Sequence, residues 1–315
     1  MLQEVGSRKV RGQLSQEGAS SFPSQLPPDA WILKLGENGI TDLKANALKS
    51  IKNIESINLE QNTLKSIHPK AFSGANRLML LNLYANHITN LPPRGFQDLL
   101  NLRFLMLGQN QIAVLKPEMF AGMRNLSDLD LPLNALTTLP SNAFKPLIAL
   151  KVLDLSMNRI QKISPKAFNG LESSSFRTLP SLEMLVLDNN LLSTLSASTL
   201  DGLGNLQELY LRNNELEQIP PDVFKNMAKL SQLVLSGNRL KTLDANMFAP
   251  VPDLKKLHLH DNTWQCDCHI ISLVQWMGQT RVTLSPRDSV RCTGPTELQN
   301  KSLSSLQADQ LICPA

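Results

Sequence analysis

The stretch Asp128-Leu129-Asp130-Leu131-Pro132 alternates two carboxylates with two leucines, and a third carboxylate, Asp154, follows Asp130 at a distance of 24 residues. In an extended strand, alternate side chains point to opposite faces. Asp128 and Asp130 then share one face and the leucines the other. Carboxylates gathered on an open face can anchor a cationic group. They could also hold calcium, but that ion takes about six to eight oxygens, one strand cannot wrap it, and the chain has no D-x-D-x-D-G loop. A Lys/Arg-bearing protein loop or an amine-bearing bacterial wall polymer fits the acids better. Solvated acids that merely keep a surface soluble are the plainer reading of the same residues. His258 and His260 also alternate onto one face, but a two-histidine metal site needs further converging ligands, so no metal is expected. An exposed histidine pair could still give binding a pH dependence.

For catalysis the sequence offers little. It has no G-x-S-x-G, no H-E-x-x-H and no phosphate loop. The expectation is a binding protein without cofactor, not an enzyme.

The elements that must position these acids announce themselves as a repeat. An asparagine follows an L-x-L run at Asn38, Asn62, Asn86, Asn110, Asn134, Asn158, Asn190, Asn214, Asn238 and Asn262. The spacing is 24 residues at every step except one of 32, between Asn158 and Asn190. Ten residues after each of the first nine comes a second apolar column: Leu48, Phe72, Phe96, Phe120, Phe144, Phe168, Leu200, Phe224 and Phe248. Each unit reads as a short strand plus a return segment. No unit can bury its apolar face alone, so neighbours must stack into a solenoid. Ten strands about 4.8 Å apart make a parallel sheet roughly 45 Å long. Return segments need more width than strands, which puts the sheet on the concave side of an arc. The extra residues fall in 171–182, on the return side.

Four outward positions per repeat place 40 residues on the concave face. Acids there are Glu37, Glu60, Asp128, Asp130, Asp154, Asp188, Glu208 and Asp261; bases are Lys34, Arg212 and Lys256. Eight acids against three bases leave this face at −5, although the 315-residue chain carries +4 and has a pI near 8.9. The basic pI alone would suggest nucleic acid; the acidic face argues against it. Both tyrosines of the chain, Tyr84 and Tyr210, fall on this face, as do Leu80, Phe104, Met106 and Met184. Aromatic residues suit strands in any case, but exposed aromatics and methionines gathered on one surface tend to mark contacts. The expected ligand-binding set is therefore Asp128, Asp130, Asp154, Asp188, Glu208, Tyr84, Phe104, Met106, Tyr210 and Arg212.

All four cysteines lie in the last fifth of the chain: Cys266, Cys268, Cys292 and Cys313. Two disulfides in an oxidising compartment fit this clustering; zinc is the alternative, although C-x-C is not the usual C-x2-C spacing. No run of 18 apolar residues occurs, so no membrane-inserting segment is expected. The N-terminus lacks the apolar core of a signal peptide, which suggests a trimmed chain or one given without its leader. Asn125-Leu-Ser127 and Asn300-Lys-Ser302 are glycosylation sequons.

The repeats over residues 30–262, in segments such as LMLLNLYANHI, LKVLDLSMNRI and LSQLVLSGNRL, resemble the 24-residue leucine-rich repeat of extracellular proteins. The tail, NTWQCDCHIISLVQWM through QADQLICP, is similar to the cysteine-bearing C-terminal cap of that family. Slit proteins, Nogo-type receptors, Toll-like receptor ectodomains and the variable lymphocyte receptors of jawless fish carry similar caps. The resemblance implies an α/β horseshoe with a concave parallel sheet of about ten strands. It implies the pairings Cys266–Cys292 and Cys268–Cys313, with Trp264 and Trp276 filling the cap core. It implies a secreted or cell-surface location, and a monomer or weak dimer. It also implies recognition of protein or microbial surface ligands of the immune type, closest to a variable lymphocyte receptor, with an adhesion or guidance ectodomain as the alternative. Three regions follow: an N-terminal tail and cysteine-free partial cap (1–29), the repeats (30–262) and the cysteine cap (263–315). The N-terminal cap of the family has four cysteines and this chain has none there. Residues 22–29 are expected to cover part of the first strand's edge, and residues 1–18 to be loose.

Overall fold

The computed structural model describes residues 7–10, 12–169 and 179–314. Ten strands of three residues form the repeats: Ile32–Lys34, Ser56–Asn58, Leu80–Asn82, Phe104–Met106, Asp128–Asp130, Val152–Asp154, Met184–Val186, Glu208–Tyr210, Gln232–Val234 and Lys256–His258. All pair in parallel, each with the next, as the 24-residue period requires. The central residue of each strand, leucine in all but Ile57, is buried while its two neighbours face out, so Leu105, Leu129, Leu153 and Leu185 stack in register. Asp154 pairs with Val186 across the 32-residue step. The extra residues therefore leave the sheet untouched; 171–178 themselves lie outside the described residues.

Each asparagine of the column ties its own turn to the preceding one. Asn110 Oδ1 accepts the Ile88 N–H at 3.0 Å, and its Nδ2 donates to the carbonyls of Leu83 and Leu107, both at 3.0 Å. Asn190 makes the same contacts with Ile160, Leu155 and Leu187 despite the longer step. These backbone groups leave the short strands without a ladder partner, and buried groups of that kind must be paired. On the return side the phenylalanine column forms a spine: Phe120, Phe144 and Phe168 stack with centroids 6.1 and 6.2 Å apart. The described return segments are turns and short 3₁₀ pieces, with two small parallel ladders, Asp42–Leu43 on Ser66–Ile67 and Thr138–Leu139 on Lys162–Ile163. Among the described residues the single α-helix, Ile271–Gln279, belongs to the C-terminal cap.

The amino-terminal end departs from expectation. Residues 7–10 and 12–16 are not loose: Ser7–Val10 and Gln13–Gln16 pair antiparallel as a hairpin, and Gln13, Leu14 and Ser15 pair in parallel with Ile32, Leu33 and Lys34. This hairpin, rather than residues 22–29, hydrogen-bonds the edge of the first repeat strand; Leu26 and Ala30 are buried against the core. Gly12 makes the closure possible. Its φ is +73° and a β-carbon there would overlap the Trp31 indole, so only glycine fits beneath that ring. A two-residue strand, Thr283–Leu284, closes the far edge, giving this sheet 13 strands among the described residues.

The cap is closed by Cys266–Cys292 and Cys268–Cys313. Trp264 is fully buried and donates its indole N–H to the Leu259 carbonyl at 3.0 Å. Trp276 stacks on Phe248, the last residue of the spine, at 4.6 Å.

Candidate ligand-binding face

The outward side chains run in columns across the strands. One column contains Leu80, Phe104, Asp128, Val152, Met184 and Glu208; the next contains Asn82, Met106, Asp130, Asp154, Val186 and Tyr210. Phe104 and Met106, both exposed, thus lie directly beside Asp128 and Asp130. Asp154 lies beside Asp130 on the other side. Asp188 sits two residues past the Val186 that pairs with Asp154, diagonal to the group. Of the ten residues expected to bind ligand, these six form one contiguous patch.

Asp130 is the electrostatic centre of that patch. Partial burial, then the carboxylates of Asp154 and Asp128, push it up to about 6. Its neighbours find relief that it lacks. Asp154 accepts the Ser156 N–H at 2.9 Å, Asp128 is bonded by the Ser127 hydroxyl, and Asp188 accepts the Arg212 N–H at 2.7 Å. In the Ser56–Asn58 and Leu80–Asn82 repeats, Asn58 and Asn82 likewise accept the N–H two residues on, at 2.8 and 3.0 Å. For Asp130 the residue two positions on is Pro132, which has no N–H.

The position of Pro132 is thereby explained. The strand ends at Asp130, and Leu131 and Leu133 are the donors to the next turn, through Asp154 O and Ser156 O. At the matched positions Gly36, Glu60, Tyr84, Gly108, Ser156, Asp188, Arg212, Ser236 and His260, the nitrogen donates to no main-chain carbonyl. Proline removes no ladder donor there. Its ring instead packs toward Tyr84 across Gly108: a β-carbon on Gly108 would lie 3.0 Å from the Tyr84 ring and 3.1 Å from Pro132.

The remaining expected residues lie further along. Tyr210 donates to Glu208 Oε2 at 2.5 Å; burial and that bond push its hydroxyl up to about 12. These two side chains engage one another. Arg212 is exposed. His258 and His260 are half-buried, not the exposed pair suggested by alternation, with rings 6.1 Å apart. Burial, then His260 and Arg212, lower the pKa of His258. At the amino-terminal end, Ser15, Lys34, Glu37, Asn58, Asn82 and Met106 line part of a groove of about 830 Å³. Sequence reasoning missed the share of the hairpin in it, because residues before 18 were read as loose. Asn125 and Asn300 are both exposed. The Asn125 side chain bonds the Leu100 carbonyl at 2.8 Å and lines a hollow of about 520 Å³ with Arg94, Gln97, Leu100 and Arg124.

A parallel solenoid with a phenylalanine spine, an asparagine ladder and a disulfide-closed end is the architecture of extracellular-type repeat proteins that bind ligands. Leucine rich repeat family patterns match residues 32–87, 76–136, 124–174, 169–216 and 204–263, and the chain belongs to that family. It is 38% identical over 73 residues to mouse podocan, a stretch that is 22% of this chain and 12% of podocan. It is 39% identical over 57 residues to mouse SLIT and NTRK-like protein 6, covering 17% of this chain and 6% of that protein. Matches of this kind span about a tenth of those relatives' length. Among solved structures, a chain of the octameric complex of Latrophilin 3, Unc5D and FLRT2 superposes with a TM-score of 0.76 at 21% identity, over 98% of this chain and 99% of that one. At this identity the likeness concerns the fold.

Proposed function

We propose that the chain is a non-catalytic, extracellular recognition ectodomain that binds a protein ligand through the concave face, with cationic groups of the ligand seated on Asp128, Asp130, Asp154 and Asp188. The observation that carries this reading is the half-exposed carboxylate cluster around Asp130, bordered by the exposed side chains of Phe104 and Met106. Acids give orientation and association rate, and apolar neighbours give contact area. Tyr84, Glu208, Tyr210 and Arg212 extend the same face. A broad open sheet is a poor place to exclude water from a reaction, which favours binding over catalysis. A secreted or cell-surface location fits the two disulfides, and the exposed sequons at Asn125 and Asn300 suit glycosylation there. The chain acts as a monomer or weak dimer, divided into a terminal region to residue 29, repeats to 262 and the cap.

Immune-type recognition of microbial surfaces, as in variable lymphocyte receptors, and adhesion or guidance signalling would use the same face. Adhesion draws support from SLIT and NTRK-like protein 6 and from the FLRT2-containing complex among the similar proteins. Binding to whole bacteria and to a panel of secreted and cell-surface ectodomains separates the two. Replacing Asp128, Asp130 and Asp154 by alanine is expected to abolish binding with the fold intact. Unchanged binding to a confirmed ligand sinks the acidic-anchor reading.

A further inference from the structure

In every repeat the residue just before the column asparagine adopts a left-handed backbone, with φ between 51° and 69°. The conformation is imposed by the ladder. The N–H of Leu133 donates to Ser156 O at 3.1 Å and that of Met157 to Asp188 O at 2.9 Å, so neither residue can turn away without breaking a bond to the next turn. Left-handed backbone suits glycine, asparagine and aspartate and is costly for other L-residues. The carboxy-terminal repeats respect this preference with Asn189, Asn213, Gly237 and Asp261. The first six repeats do not: Glu37, Gln61, Ala85 and Gln109 hold the position in four of them, and in the two that follow the residue is large and apolar, Leu133 at φ 58° and Met157 at φ 53°.

Packing does not compensate them. Leu133 is 42% exposed and Met157 50%, so both pay the backbone cost and the cost of apolar surface in water. What sets them apart is exposed apolar bulk at a specific place. Leu133 lies three residues past Asp130 and Met157 three past Asp154, in neighbouring turns, so the pair borders the carboxylate cluster. Exposed apolar side chains gathered at one place mark contact surfaces.

We propose that Leu133 and Met157 form the apolar lip of the binding site, against which a protein ligand packs an apolar side chain adjacent to the arginine or lysine that it sets on Asp130 and Asp154. This rests on the concave-face reading above and adds the ligand's second chemical requirement. Charge complementarity selects the occupant. The carboxylates of Asp128, Asp130, Asp154 and Asp188 call for a cationic segment, whereas a second copy docking by the same face would set acids against acids. The lip also has a mechanical role: by covering the ion pair it keeps water from the charges and strengthens them.

The decisive feature is that asparagine at these positions should improve the fold while damaging recognition. Two synthetic peptides of equal length and charge serve as probes, one alternating arginine with leucine, the other arginine with glycine. They are titrated calorimetrically against the full chain, against L133N/M157N and against D130N/D154N. The wild type is expected to prefer the arginine–leucine peptide by about tenfold. L133N/M157N should lose that preference, keep its weaker affinity for the arginine–glycine peptide, and melt roughly 1–2 °C higher. An undiminished preference in L133N/M157N, or a lower melting temperature, overturns the lip and leaves the concave-face reading standing. If D130N/D154N binds both peptides as the wild type does, the concave-face reading fails. Self-association of the wild type that L133N/M157N abolishes would assign the lip to a second copy and overturn the proposed occupant.

Discussion

At the scale of single residues, the chemistry of the face turns on a missing hydrogen. Asp130 and Asp154 occupy matched positions, yet only Asp154 has a backbone N–H two residues on, because Pro132 stands where Ser156 would donate. A hydrogen bond to the charged form lowers a carboxyl pKa. Pro132→Ser is therefore expected to bring Asp130 down from about 6, which carboxyl ¹³C NMR titration reads directly. The same group makes stability depend on pH. The folded pKa of about 6 lies above the ordinary 3.8, so the folded chain binds the extra proton between roughly pH 4 and 6 and gains stability as pH falls through that window. Asp130→Asn removes this gain and should stabilise the chain at neutral pH by about 1 kcal/mol, a figure kept small because the carboxylate is half-exposed and screened. Melting curves near pH 5 and pH 7 test both points. Affinity for a cationic ligand should run the other way, weakening as pH drops below about 6 and Asp130 takes up its proton.

At the scale of elements, three-residue strands hold together because side chains finish what the ladder cannot. Asn110 shows how much rests on one residue: it bonds backbone groups of two turns from a buried position. Asn110→Ala strands an N–H and weakens two carbonyls, a loss of about 2–4 kcal/mol. Urea melts measure it, and hydrogen exchange should place the fraying in the turns around Leu83 and Leu107. Much of this was legible in the sequence, since the period, both columns and the inward leucines are local and repeated. The outward columns followed from alternation, which is why the register of Asp130 with Asp154 was predictable. What escaped reading had no partner in the pattern. The hairpin at Gln13–Gln16 carries no repeat signature, and Gly12 matters only because Trp31 lies over it. Leu133 and Met157 look ordinary until the backbone angle is known. Their one signal was an apolar residue where later repeats place asparagine, glycine or aspartate.

At the scale of the molecule, the solenoid is a stack whose ends bear the burden of closure. The amino-terminal end is closed by main-chain pairing and the carboxy-terminal end by two covalent links, joining residues 26 and 45 apart. Cys268→Ser with Cys313→Ser opens the larger loop and is expected to cost about 3–4 kcal/mol by chain entropy. Because each repeat touches only its neighbours, the loss should appear first as cap unfolding, seen in the fluorescence of Trp264 and Trp276, while the strands near Leu33 hold. Charge is also distributed on this scale. The concave face carries an excess of acids within a chain of net +4, so binding of a cationic ligand at the proposed site should weaken as salt rises.

The asparagine ladder has a final consequence for how such a protein can change. Asn190 keeps its bonds to the preceding turn across a step eight residues longer than the others. The seam between turns therefore senses only whether the strand and its asparagine arrive in phase, and not the length of the path that brings them there. Whole turns can be gained or lost by recombination, with both seams closing again on whichever neighbour results. The span of the face then grows or shrinks in steps of about 4.8 Å, while the return side is free to vary in length. Selection can tune the reach of the molecule and the chemistry of its central patch as separate quantities.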